Sequence, residues 1–135
     1  MALFDVFDLA GSGMRAQSMR LNTTSSNLAN AESVAGTEEE AYRARHPVFS
    51  AMMMGDGAES TGVQVLGVIE SAAPPVKRYQ PDHPMANEEG YVFASNVNPI
   101  EQMVDMLSAA RSYQNNIEML NTTKELMLGT LRMGQ

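Results

Sequence analysis

Both ends of the chain repeat apolar residues at alternating spacings of four and three, which restricts them to helices that bury a narrow stripe. At the N-terminal end the stripe reads Leu3, Phe7, Ala10, Met14, Gln17, Leu21, Thr24 and Leu28, and residues 3–30 are predicted to be one helix. At the C-terminal end it reads Met103, Met106, Ala110, Tyr113, Ile117, Leu120, Lys124, Met127 and Leu131. Asn98-Pro99-Ile100-Glu101 is a strong helix start, with Asn98 as cap and Pro99 in the first turn. At ~1.5 Å per residue the second helix spans roughly 45–50 Å, longer than an average globular helix. The two are unequal. Gly11 and Gly13 together cost about 2 kcal/mol relative to alanine, and Asn22-Thr23-Thr24-Ser25-Ser26-Asn27 adds more, whereas the second helix is weakened only at Gly129. A helix as poor as the first takes its stability from neighbours and is expected to fray alone.

Residues 36–97 follow a different pattern. Alternating or β-rich runs at 42–49, 63–69, 76–79 and 91–93 are separated by Gly55-Asp56-Gly57, by Pro74-Pro75 and by the turn-rich stretch 81–90. Three or four short strands are predicted. A unit of roughly 60 residues buries too small a share of its surface to be robust alone. The expected fold class is therefore α+β, with long N- and C-terminal helices packing as a coiled coil around a small β-rich middle. The expected segments are 1–35, 36–97 and 98–135.

Charge and composition exclude several function classes. Of a net charge of −7, residues 32–99 supply ten acids against four bases, while residues 1–31 balance two against two and residues 100–135 carry four against three. No basic stripe exists to hold phosphates, so no nucleic acid is expected as partner. Cysteine is absent, which removes disulfides, thiolate metal sites and thiol nucleophiles. Residues 1–11 hold Asp5 and Asp8 and no basic residue, so no cleaved secretory signal is expected, and no run reaches membrane-spanning length.

Catalytic and metal chemistry find little support. His46 and His83 each adjoin a proline, and His83 with Asp82 and Glu88 lacks helical ligand spacing, so both read as surface-loop residues. Gly11-Ser12-Gly13 lacks the preceding strand and nearby lysine of a nucleotide loop, and no Gly-x-Ser-x-Gly elbow makes Ser12 a nucleophile. No catalytic residue, metal, cofactor or small-molecule substrate is predicted. Glu38-Glu39-Glu40 reads as a solvated loop. Met52-Met53-Met54 is either an adaptable loop beside Gly55 or a gap-filler in a packed interface. A hairpin of the terminal helices would satisfy the seams within one chain, yet the narrow stripes and the weak first helix favour additional partners.

The residues along these seams carry a family resemblance. Leu21-Asn22-Thr23-Thr24-Ser25-Ser26-Asn27-Leu28-Ala29-Asn30-Ala31 resembles the Ser-x-Asn-Leu-Ala-Asn signature of flagellar rod, hook and hook–filament junction proteins. Asn96-Val97-Asn98, Glu101-Gln102-Met103-Val104 and Ala110-Arg111-Ser112-Tyr113-Gln114-Asn115-Asn116 are similar to the C-terminal helix of that family. Ala41-Tyr42-Arg43 after an acidic insert, Val68-Ile69-Glu70-Ser71, and Pro81-Asp82-His83-Pro84 leading to Gly90-Tyr91-Val92 resemble its short proximal rod members.

The resemblance implies a non-enzymatic subunit that leaves the cell through the flagellar type III export apparatus and assembles helically into the rod crossing the periplasm, transmitting torque to the hook. It implies as partners copies of the chain, other rod proteins and basal-body base components. Family members have termini that become helical on assembly, in keeping with the weak first helix. The expected assembly interface comprises Leu3, Phe7, Met14, Leu21, Leu28, Met103, Met106, Ala110, Tyr113, Ile117, Leu120, Met127 and Leu131, with Asn27, Asn30 and Asn116 setting register by polar contacts or serving as ordinary caps. The alternatives are a monomeric helical adaptor or export-chaperone-like module that docks through its C-terminal helix, and a small enzyme around His83.

Overall fold

The computed structural model describes residues 3–54 and 60–134, so the Gly55-Asp56-Gly57 turn lies outside the described residues. The fold is α+β: helix α1 (Leu3–Ala29), strands β1 (Val34–Ala35), β2 (Arg45–Met54), β3 (Ser60–Glu70), β4 (Val76–Tyr79) and β5 (Tyr91–Ala94), then helix α2 (Pro99–Met133). α1 has 27 residues and α2 has 35, and neither Gly11, Gly13 nor Gly129 interrupts them. α1 stops where Asn30 turns back, its backbone and side-chain amides both donating to Ser26 O at 3.2 and 2.9 Å. α2 starts as its sequence predicts: Asn98 Oδ1 accepts from Ile100 N at 3.1 Å, and Asn98 O accepts from Gln102 N.

The strands depart from the sequence expectation in two places. β1 is only two residues long and shows no alternation to find; it exists because it pairs with β5, and Ser95 N extends the link to Ser33 O. β2 begins at Arg45 rather than at Tyr42, because residues 42–44 are drawn into side-chain hydrogen bonds: Tyr42 Oη donates to Asn27 Oδ1, and Ala44 N to Asn96 Oδ1. β2 also continues through Met52, Met53 and Met54, which are strand residues and not a loop.

The chain forms two compact units. The first comprises Met1–Leu21, Pro47–Gly67 and Leu107–Gln135, and the second comprises Asn22–His46 and Val68–Met106. Each thus combines helix and strand from separated stretches. The first unit holds most of the two-stranded β2–β3 ribbon, together with the N-terminal part of α1 and the C-terminal part of α2. Its buried positions among the described residues are all small: Ala10, Ser12, Ala16, Gly62, Ala109 and Thr123.

The second unit holds a three-stranded antiparallel sheet of order β1-β5-β4, registered Val34↔Ala94 and Tyr79↔Tyr91. Val92 and Ala94 point into the core, and Val97 packs there with Ala31, Ala44 and the ring of Tyr42. β4 is the exposed edge. Tyr79 meets Tyr91 edge-on at 5.1 Å, and Lys77 Nζ lies 4.2 Å from the Tyr91 ring, so the edge is held by cross-strand aromatic and cation–π contacts. Pro74-Pro75 and Pro81 bracket this strand and discourage further pairing along it. Gly90, with φ of 85°, makes the turn into β5 that a side chain would strain.

Candidate assembly interface

The described side chains of the α1 seam are all drawn inward to some degree. Ala10 and Thr24 are buried, and Phe7, Met14, Gln17, Leu21 and Leu28 are half-buried, while the side chain of Leu3 lies outside the described residues. Ser12, Ala16, Thr23 and Asn27 add a second buried row on the same helix. Small residues serve this row because other backbone must approach closely. Ser12 Oγ donates to Leu9 O at 2.7 Å and accepts from Val63 N at 3.2 Å, and Gly62 is buried against it. At Gly13 a Cβ would lie 3.0 Å from Asn116 Nδ2. The glycines that weaken α1 as an isolated helix thus make room for its neighbours.

Asn27 is the most completely used polar side chain of the second unit. It is 1% exposed. Its amide donates to Arg45 O at 2.8 Å and to Gln102 Oε1 at 3.0 Å. Its Oδ1 accepts from Tyr42 Oη and from Arg45 N, both at 2.9 Å. Two donors and two acceptors exhaust the capacity of an asparagine. The signature residue therefore ties α1 to α2 and to the start of β2 within one chain. Asn30 instead closes its own helix, and Asn116 faces Gly13. Gln102, Tyr42, Arg45 and Ser12 complete these contacts and were missed from sequence, although small or polar residues inside an apolar helix pattern were the available sign.

On α2 the predicted seam splits. Met106, Tyr113, Leu120 and Met127 are half-buried, but the other half of the inner row is Gln102, Ala109, Asn116 and Thr123, one residue ahead of the expected positions. The cause is steric and polar: Gln102 must reach Asn27 and Asn116 must meet Gly13, so bulky residues are displaced from that row. Ala110 is half-buried. Met103, Ile117 and Leu131 are left 52%, 37% and 67% exposed at seven-residue multiples, and Met119, Leu126 and Met133 form a second exposed apolar line. Ile100, Val104 and Leu107 are also exposed beside Met103. Monomeric proteins rarely leave so much contiguous apolar surface open to water.

Among the described residues no group of three or more metal-ligating side chains gathers, and His83 Nδ1 accepts from Met85 N in a local turn. Among the described residues no helix is long and apolar enough to cross a membrane. Glu38, Glu39 and Glu40 are exposed, as is Met53, while Met54 is half-buried.

Comparison with known proteins agrees with this architecture. Residues 7–36 match the family described as Flagella basal body rod protein, and residues 88–133 match Flagellar basal body rod FlgEFG protein C-terminal. These regions contain the Asn27 signature and the whole of α2. The chain is 50% identical over 135 residues, the full length of both, to Flagellar basal-body rod protein FlgC of Escherichia coli O6:H1 and to that of Salmonella typhimurium. It is 39% identical over 127 residues to FlgC of Aquifex aeolicus, covering 93% of this chain and 92% of the relative. With full-length identity at this level and both terminal regions matched, the chain belongs to the flagellar basal-body rod protein FlgC family.

Proposed function

We propose that the chain is a structural, non-enzymatic subunit of the bacterial flagellar basal-body rod, assembling helically through its terminal helices with copies of itself, other rod proteins and components at the base of the basal body. In this reading residues 1–35 and 98–135 are the rod-core segments, packed as a coiled coil, and residues 36–97 are the outer β-rich segment. The chain leaves the cell through the type III export apparatus without a cleaved signal, orders its termini on assembly and passes torque through the proximal rod.

One observation carries the reading: α2 spends small and polar residues on its contacts within the chain and keeps Met103, Ile117 and Leu131 exposed at multiples of seven residues, with Ala110 and Lys124 at the positions between. Exposed apolar residues in that period fit the groove of another helix. Each large side chain buried there contributes about 1.5–3 kcal/mol, which offsets the entropy of ordering the termini. A contact between two different faces, repeated with a rotation that does not close into a ring, extends into a filament.

The test replaces Met103 or Leu131 with glutamate. Both are surface positions, so the monomer's circular dichroism and unfolding midpoint should stay within about 0.5 kcal/mol of wild type. Recovery of the variants in purified basal bodies, and motility of complemented cells, should be lost. Normal incorporation of both variants would sink the proposal.

A further inference from the structure

We infer that the loop between β4 and β5 carries a pH-sensitive latch: the neutral ring of His83 closes the turn that seats Met85 against Gly36, and protonation of that ring opens the turn.

Residues 80–90 are held by their own hydrogen bonds. Gln80 N donates to Gly90 O at 2.9 Å, and His83 N to Gln80 O and Ala86 N to His83 O, both at 3.0 Å. Two side chains add the same kind of closure, each accepting from the amide two residues on. Asn87 Oδ1 accepts from Glu89 N at 3.1 Å, and His83 Nδ1 accepts from Met85 N at 3.0 Å. Asparagine is a common residue in this role and keeps its acceptor at every pH. An imidazole offers an acceptor only while neutral. Here that leaves the proton on Nε2; once the ring is charged, Nδ1–H would face Met85 N–H, donor against donor. The closed turn therefore excludes a proton that the open turn accepts. Its stability is present while the ring is neutral and is lost as acid charges it.

The turn reaches beyond its own loop. Met85 O comes so near Gly36, the residue after β1, that a Cβ there would lie 3.2 Å from it. Solvent reaches the half-buried ring through a surface cavity of about 490 Å³, which it lines together with Tyr79 of β4, Gln80 and the exposed Asp82. The other charged groups of β4 and the loop are Lys77 and Glu89, paired at 3.9 Å, and the exposed Arg78 and Glu88, while β1 brings none. Gly36, His83 and Met85 all lie in the second unit, so neither rod assembly nor the outer ends of the helices enter.

Nuclear magnetic resonance of the full-length chain, recorded from about pH 8 to about pH 5, tests this with two variants. At the upper end His83 Nδ1 should resonate as an unprotonated nitrogen. As the ring protonates, the Met85 amide should lose about fivefold or more of its protection from exchange, the weight of one net hydrogen bond. The Gly36 amide, remote in sequence, should shift along the same curve. His83→Asn should keep Met85 protected at both ends of the range, as Asn87 keeps Glu89, and His83→Ala should leave it unprotected at both. Equal protection of wild-type Met85 at the two ends, a Gly36 amide that does not follow His83, a pH dependence that survives in His83→Asn, or a Met85 amide still protected in His83→Ala would each overturn the inference.

Discussion

Replacing Asn27 with alanine removes four hydrogen bonds from a site that is 1% exposed. Their losses are unequal. Tyr42 Oη retains Ser26 Oγ at 3.2 Å as a partner, and the exposed Arg45 brings solvent near its backbone groups. Gln102, at 6% exposure, has no such relief, and its Oε1 is left as a buried acceptor without its donor. Such a group costs about 1–3 kcal/mol, net hydrogen-bond losses elsewhere add about 1 kcal/mol each, and the truncated amide leaves a small cavity. The expected destabilisation is about 3 kcal/mol. Urea unfolding followed by tyrosine fluorescence suits the measurement, because Tyr42, Tyr79 and Tyr91 all belong to the second unit. With a slope of about 1–3 kcal/mol per molar, the midpoint should fall by roughly 1–3 M. Gln102→Ala should cost less, and the double variant should show a coupling of about 1 kcal/mol or more, since the two side chains share a buried bond. A midpoint shift below about 0.3 M, or strictly additive single effects, would refute the reasoning that Asn27 is an intrachain tie.

Three further outcomes follow from individual contacts. Gly90→Ala should destabilise by about 1–2 kcal/mol in the same assay, since φ is 85° and the new Cβ would lie 3.0 Å from Tyr79 Cε2 and 3.1 Å from Pro81 Cβ. Asn98→Ala should cost about 1 kcal/mol through loss of the α2 cap, seen as a lower thermal midpoint and faster amide exchange in the first turn. Gln17→Met should raise thermal stability by about 1 kcal/mol, because Gln17 Oε1 is buried with no hydrogen-bond partner among the described residues and methionine keeps the shape of the side chain.

By itself the sequence determined the class of fold and the family. Apolar spacing located both helices to within a residue or two, Asn98-Pro99 marked the α2 start, and the proline and glycine breaks located β4 and β5, because each of these signals is set by local backbone geometry. The Asn27 signature pointed to the rod proteins before any contact was known. Which residues of α2 turn inward was decided only by the tertiary structure. Hydrophobic period treats Met103 and Gln102 as apolar and polar, yet Gln102 is buried because Asn27 lies opposite it, 75 residues away in sequence. Close approach reverses the usual preference in the same way at Gly13 and Asn116. The two-residue β1, the late start of β2 and the Ser12–Gly62 contact likewise depend on partners remote in the chain. Local spacing carries no information about remote partners, and so the bulky residues that complete the predicted seam remain at the surface of the single chain.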